Sequence, residues 1–342
     1  MIELLIATSD RQKGGIQRAL ADQLSLLADD KDIAITVLSP QSDFTDLADK
    51  VGAEIIYLSD AGRRIARMAP VLSAAILGQR RFDRIICHNG FMAAFLRRHL
   101  RHSGSLIGLC HNDKPQQFTK ADKLVCLTPK GIDNALSTGW PKHKLTSIPH
   151  YHIAASDRAE RPPQRRPSDA PLRIGCAGRM VAKKNLDLFI TIAGIVKQTR
   201  PHCQFQLAGT GQLSKQIEAK NNALGRPVEM LGWTDITSFL SEIDIFIVPS
   251  FDEPFGYVYL EAMSAAVAVL SSDSFGGDFI LDGGGVAPVL AADDAHGFAD
   301  EIGRLDDDRD ALHIMQQQCY QRALSDVFAR KTAYQSWRNL IG

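Results

Sequence analysis

Along the chain, short continuous apolar runs alternate with segments whose apolar residues recur every three or four positions. In the first half the runs are IELLIA (2–7), IAITVL (33–38), EIIYL (54–58), RIICH (84–88), SLIGLC (105–110) and KLVCL (123–127). Between the first two, GIQRALADQLSLLADD places Ile16, Ala19, Leu20, Leu24 and Leu27 on one face of an amphipathic helix. A short run that is apolar without alternation reads as a strand buried on both faces. Such runs separated by helices predict an α/β fold with a parallel sheet covered on both sides.

The pattern breaks at SDRAERPPQRRPSDAP (156–171), which has four prolines, four arginines and no apolar periodicity, and reads as a linker. It then restarts with LRIGCAG (172–178), QFQLAG (204–209), VEMLG (228–232), DIFIVPS (244–250) and VAVLSS (267–272). The prediction is two doubly wound, Rossmann-like domains facing across a cleft. Residues 1–160 form the first, 161–325 the second, and 326–342 a C-terminal helix crossing back to the first. A length of 342 residues fits two domains at ~100–200 residues each. Ligands bind beyond the carboxyl ends of strands in such sheets, which makes the cleft the expected site.

Composition narrows the class. Hydrophobic residues at 45% and charged residues at 23% are the balance of a globular protein, and no stretch approaches the ~18 consecutive apolar residues of a membrane span. MIELLIATSD carries Glu3 and lacks a basic lead, so it reads as a first strand and not a signal peptide. The six cysteines show no CxxC spacing, and Cys87, Cys110, Cys126 and Cys176 fall in strand-like runs. They read as buried free thiols in a reducing cytoplasm. Net charge is zero but uneven: residues 1–165 hold 23 Lys+Arg against 17 Asp+Glu, and residues 166–342 hold 16 against 22.

Candidate chemistry gathers in the second half. CAGRMVAKKN (176–185) ends a strand and opens a helix near Asn185. Gly178 permits the turn, and Arg179 and Lys184 put two cations beside a helix start, an arrangement that binds phosphate. LAGTGQL (207–213) holds Gly209 and Gly211 but lacks the third glycine of a dinucleotide fingerprint, and is best explained as a tight strand-to-helix turn. In SFDEPFGYVYLEAMSAAVAVLSS (250–272), Glu253 lies in the loop after a strand. Pro254 and Gly256 precede a helix predicted over 257–266, and Glu261 lies about one turn inside it. Spacing alone leaves two readings: a capping carboxylate with a solvated one, or a pair gripping ligand hydroxyls. The triplet in DDDRD (306–310) reads as a solvated loop. Of the ten histidines, His88, His99, His102, His143, His150 and His152 crowd the first half and read as surface or hydrogen-bonded core residues.

Gly178, Arg179, Lys184, Gly209, Gly211 and EPFGYVYLE occur in the order, and after the strands, that resemble the family-4 retaining glycosyltransferases of GT-B fold. ADKLVCLT (121–128) also resembles that family's strand before its hinge region. The likeness spans most of the chain and is strongest over 172–272. It implies a retaining hexosyltransferase, using a nucleotide-diphosphate-sugar donor and a saccharide or lipid-linked acceptor, in cell-envelope polysaccharide biosynthesis. Arg179 and Lys184 would hold the donor diphosphate, Glu253 the sugar hydroxyls and Glu261 the ribose. The backbone at Phe255 and Gly256 would face the donor, and Gly178 and Gly209 belong to the same donor-binding set. KGGIQRAL resembles the family's glycine-rich loop, so Gly14 and Gly15 would approach donor phosphates or acceptor. His111 matches the histidine beside the transferred sugar. The implied catalytic set is Arg179, Lys184, Glu253 and His111, with no essential metal or other cofactor and no nucleic-acid partner.

Two departures from the pattern stand out: IPHYHI (148–153) replaces an Asn-Gly stretch, and FGGDFI (275–280) puts Asp278 in an acidic place normally held by Glu. Two other readings share the fold: an epimerase or hydrolase of nucleotide sugars, and a non-catalytic GT-B subunit. A nicotinamide oxidoreductase is disfavoured because LIATSDRQKGGIQ lacks GxGxxG.

The excess of cations in the first half concentrates in GRRIARMAPVLSAAILGQRRFDR (62–84) and FLRRHLRH (95–102), arginines around apolar centres. Peripheral contact of a cytoplasmic enzyme with anionic membrane is the expectation, at ~1 kcal/mol per cation near the surface. The protein should co-sediment with anionic vesicles at low salt, and much less with neutral vesicles or at high salt. Binding indifferent to lipid charge, or none at low salt, rejects this expectation.

Overall fold

The computed structural model describes residues 1–10, 14–40, 45–57, 80–100, 104–151, 167 and 170–342. The linker reading over 156–171 and most of the basic stretch 62–84 lie outside the described residues. The chain divides into two compact units, 1–151 with 330–342, and 152–329.

In the first unit a seven-stranded parallel sheet has the order β3-β2-β1-β4-β5-β6-β7 among the described residues. The strands are β1 Ile2–Ala7, β2 Ile33–Ser39, β3 Glu54–Tyr57, β4 Arg84–Cys87, β5 Ser105–Cys110, β6 Lys123–Cys126 and β7 Leu145–Ser147. In the second unit six parallel strands have the order β10-β9-β8-β11-β12-β13. They are β8 Arg173–Ala177, β9 Gln204–Ala208, β10 Glu229–Gly232, β11 Ile245–Val248, β12 Ala268–Ser272 and β13 Val289–Leu290.

All eleven apolar runs of the sequence became strands; the nine inner ones are largely buried, while β3 and β10, at sheet edges, are half-exposed. Leu4 to Ala7 and Ile245 to Ile247 are fully buried. The two strands the pattern missed, β7 and β13, are three and two residues long, half-buried, and at sheet edges. Their pairing to β6 and β12 is a tertiary event with no local signature. All six cysteines are buried free thiols.

Two boundaries move from their sequence positions. Tyr151 closes the first unit: its hydroxyl donates to the Asp22 carbonyl at 2.7 Å. Phe328 stays with the second unit, its ring 6.3 Å from Phe255 and 5.9 Å from Phe279. The last helix therefore starts at Arg330, and Arg330–Ile341 packs on the first unit. Arg330 donates to the Ser25 carbonyl at 2.7 Å, and Tyr334 to Asp30 at 2.8 Å.

The reading of 306–310 as a solvated loop is also corrected. Asp306 and Asp307 end the helix Ala295–Asp307, and Asp308 caps the helix Arg309–Ala323 by accepting from Ala311 N. The Asp306 carboxylate is buried because two guanidiniums surround it, Arg309 at 2.7 Å and Arg200 at 3.4 Å. No helix among the described residues is long and apolar enough to cross a membrane.

Candidate functional site

In each sheet the strand order reverses direction once, between β1 and β4 and between β8 and β11. Loops leaving the carboxyl ends on either side of such a point diverge and leave a crevice. In the second unit the loops after β8 and β11 carry most of the candidate residues.

The loop after β8 is fastened to its neighbours. Met180 N donates to Thr210 O at 3.0 Å, Leu213 N to Met180 O at 3.0 Å, and Phe251 N to Lys183 O at 3.0 Å. Gly209 sits at φ +126°, where a Cβ would lie 2.0 Å from the Gly178 carbonyl oxygen. Its glycine is thus required by backbone-on-backbone packing of two strand ends. Ala182–Lys184 forms one 3-10 turn, Asn185 turns left-handed at φ 48°, and the helix Leu186–Thr199 follows. This geometry swings Lys184 back against Gly178, whose Cβ would meet its side chain at an ordinary 3.9 Å.

Lys184 meets Glu253 there. The two are hydrogen-bonded as an ion pair, with Lys184 side-chain exposure of 18% and Glu253 of 9%. The Glu253 backbone is fixed as well, since its carbonyl accepts from Gly276 N at 2.8 Å. That contact uses the start of the helix Phe275–Ile280, the FGGDFI segment, capped by Ser274 and carrying Asp278 in its first turn. Gly256, at φ +79°, begins the helix Tyr257–Ser264; a Cβ would lie 2.8 Å from Glu253 Cγ and from the Tyr259 ring. Only glycine leaves room for the Glu253 side chain to fold under the turn. The helix is shorter than the 257–266 prediction because Ala266 turns to φ 61°.

The remaining donor-site candidates divide. Arg179 is exposed beside Lys184 in sequence, and Glu261 is half-buried on the new helix. The Phe255 ring points into the core, 6.1 Å from Tyr257 and 6.5 Å from Phe279. Only its backbone can face a ligand. In the first unit, Gly14 caps the helix Gly15–Leu27 in extended conformation, and a Cβ on Gly15 would meet nothing within 4 Å. Among the described residues nothing crowds a side chain at Gly15. A crevice of about 560 Å³ lies beside it at the β1/β4 reversal, lined by Ser9, Asp10, Ile16, Asn89, Phe91 and Gln117.

His111 leaves the end of β5 and joins residues that the sequence reading had set aside. Its Nε2 lies 3.0 Å from His88 Nδ1, and His88 Nε2 lies 2.8 Å from Gln23 Oε1. The rings stack, His111 on His88 at 5.1 Å and on His150 at 5.4 Å between centroids. Burial pushes the His111 imidazole down from 6.5 to about 3. His88 and His150 are held well below the ordinary value by burial first and by their histidine neighbours second. The available signal was positional: His88 and His111 each directly follow a strand, and those strands pair. His150 gave no such signal.

Among the described residues, His202, Cys203 and Asp306 lie close enough to share a cation. Their chemistry does not suit one. Asp306 is engaged by Arg200 and Arg309, and burial pushes the Cys203 thiol up to about 12.

Residues 171–308 match the family described as Glycosyl transferases group 1. The chain is 30% identical over 195 residues, 55% of each chain, to the lipopolysaccharide core biosynthesis glycosyltransferase LpsE of Rhizobium meliloti. It is 28% identical over 156 residues to the lipopolysaccharide core biosynthesis mannosyltransferase LpsB of the same organism, 41% of this chain and 42% of that one. The chain spans about half the length of the curated relatives it matches. Among solved structures, Anabaena Alr3699/HepE in complex with UDP and glucose superposes with a TM-score of 0.78 over 99% of both chains, at 17% identity. The fold is GT-B, and the match to the group 1 glycosyl transferase family lies within its second unit.

Two outcomes follow from the geometry. Lys184→Ala should destabilise the second unit by ~1–3 kcal/mol, because Glu253 is left buried without its cation. Lys184→Ala combined with Glu253→Gln should recover part of that loss, whereas Arg179→Ala should cost little. Urea unfolding measures all three, and an unchanged midpoint in Lys184→Ala rejects the pair as a structural tie.

The histidines unfold to ordinary imidazoles near 6.5, so below that pH the unfolded chain binds more protons than the native one and stability falls. The melting temperature should therefore drop between pH 7 and pH 5, and by less in His150→Gln. An equal drop in the variant and the wild type removes His150 from this effect.

Proposed function

We infer that the protein, with its GT-B fold and group 1 domain, transfers a hexose from a nucleotide-diphosphate sugar to a saccharide or lipid-linked acceptor with retention of anomeric configuration. The carrying observation is the meeting of Lys184 and Glu253, 69 residues apart, at the strand-order reversal of the second unit. A cation for phosphate and a carboxylate for hydroxyls are the two recognition groups a sugar diphosphate needs, and here each holds the other in position. The UDP and glucose bound to HepE of the same fold support this class of donor.

The chemistry follows from charge. Breaking the bond from sugar C1 to the diphosphate puts negative charge on the leaving oxygen while the sugar becomes oxocarbenium-like. Arg179 and Lys184 stabilise that leaving charge most when it is fully developed, which lowers the barrier. Glu253 accepts hydrogen bonds from sugar hydroxyls and remains close to the positive ring. Glu261, one turn along its helix, accepts from the ribose. The family resemblance assigns His111 of the first unit to the transferred sugar; neutral at physiological pH, it would hydrogen-bond without adding charge. No step in this scheme requires a metal. The acceptor belongs to cell-envelope polysaccharide synthesis, the setting of LpsE and LpsB.

A panel of nucleoside-diphosphate sugars should raise the melting temperature for the donor used, about 2.7 kcal/mol at 100 times its Kd. With that donor, nucleoside diphosphate should appear only when acceptor is present, and the product should keep the donor's anomeric configuration by NMR. Arg179→Ala and Lys184→Ala should each slow transfer at least ~10-fold through loss of a charged contact. Glu261→Gln should weaken nucleotide binding, and Glu253→Gln should slow turnover. Acceptor-independent release identifies a hydrolase instead, inverted product rejects retention, and near-normal turnover in both cation variants rejects the donor site.

A further inference from the structure

The row Gln23–His88–His111 is built for more than packing. Gln23 is 4% exposed and His88 1% exposed, so bulk water does not set the hydrogen bonding of either side chain. Both His88 nitrogens are engaged, Nε2 with Gln23 Oε1 at 2.8 Å and Nδ1 with His111 Nε2 at 3.0 Å. A neutral imidazole has one N–H and one lone pair, so a proton order imposed at one end is handed to the other. With the Gln23 carbonyl facing His88, His88 carries its proton on Nε2 and donates it. Its bare Nδ1 must then accept, so His111 carries its proton on Nε2. His111 Nδ1 is left as an acceptor. Stacking on His150, 5.4 Å away and nearly parallel at 16°, fixes the plane of the His111 ring.

The alternatives around the row do not compete for that proton. Gln23 Nε2 has no hydrogen-bond partner among the described residues, and the Oε1 contact to His88 is the side-chain hydrogen bond found for this amide. The His88 backbone is pinned at the β1/β4 reversal, its N–H donating to Ala7 O at 2.9 Å. Helix, strand end and ring stack thus hold the row from three sides.

We propose that Gln23 and His88 are positioning residues that lock His111 in its Nε2–H tautomer, presenting Nδ1 as a hydrogen-bond acceptor to a hydroxyl of the transferred sugar. The sugar part of this rests on the glycosyl-transfer reading; the lock itself does not. A locked acceptor matters because a hydroxyl can donate only if the ring nitrogen it meets carries no proton. In free solution a neutral histidine exchanges between tautomers and offers the right one only part of the time.

The test uses the full chain labelled with 15N-histidine. Long-range 1H–15N spectra near pH 7.5 should show His111, assigned by loss of its signals in His111→Asn, as the Nε2–H form alone. In Gln23→Met, which keeps the side-chain volume and removes the carbonyl, and in His88→Phe, His111 should become a mixture of tautomers. The same variants should lower kcat about twofold, in proportion to the Nε2–H fraction lost, with donor KM unchanged. His88→Asn, which restores a polar group near the Nδ1 position, should recover part of the rate. A mixed or Nδ1–H His111 in the wild type overturns the proposal even if no variant folds, and so does an unchanged pattern in folded Gln23→Met. Lost tautomer order with unchanged kcat overturns the link to catalysis. A clean Nε2–H pattern in a protein that releases nucleotide without acceptor keeps the lock and rejects transfer, so the two failures are distinguishable.

Discussion

A carboxylate withdrawn from water must be met by a cation or by donors, and in the second unit that demand organises the whole strand-order reversal. Glu253 is 7% exposed, and Lys184 answers it from the far side of the β8/β11 reversal. Several features that look separate are consequences. Asn185 turns left-handed so that Lys184 projects back toward the sheet. Gly256 lacks a side chain so that Glu253 can fold beneath the turn. Gly276 lacks one because its Cβ would lie 2.2 Å from the Phe255 carbonyl oxygen and 2.8 Å from that of Glu253. Removing any one of these would displace a charge that the low-dielectric surroundings cannot leave alone.

The pair is also suited to exchange. A buried ion pair contributes little net stability compared with an apolar substitute, but it holds two charged side chains in defined places. A ligand bearing an anion and hydroxyls can take over each partner's hydrogen bonds without creating an unpaired charge at any stage. Under the proposed transfer, the cation would already be oriented when negative charge develops on a leaving phosphate.

The first unit solves a different problem by neutral means. Three stacked imidazoles, His88 buried and His111 and His150 half-buried, cannot all be charged, and partial withdrawal from water keeps them neutral. Neutrality gives each ring one donor and one acceptor, and their order is settled by what they touch. The second unit thus holds fixed charge, and the first holds directional, uncharged hydrogen bonding.

How much of this was legible in the sequence depends on range. Continuous apolar runs determined eleven of the strands, and hence most of both parallel sheets, because a short unbroken apolar run is a local property of composition. That the strand-end glycines, Arg179, Lys184 and Glu253 lie in loops at the carboxyl edge of a sheet was legible, because loops following parallel strands leave from one edge. Helix termination at Ala266 and the two short edge strands were not, since they depend on neighbours that arrive from elsewhere in the chain. Nor was the buried role of Asp306, which reads as one of three exposed acids until Arg200 and Arg309 close over it. The sequence placed His111 at a strand end but left His88 and His150 among ordinary histidines. Only the tertiary structure decided that they stack, because a hydrogen bond between residues 23 positions apart, and a ring contact 39 positions apart, have no trace in local pattern. The same holds for Lys184 and Glu253: their types and loops were written in the sequence, and their meeting required the sheet.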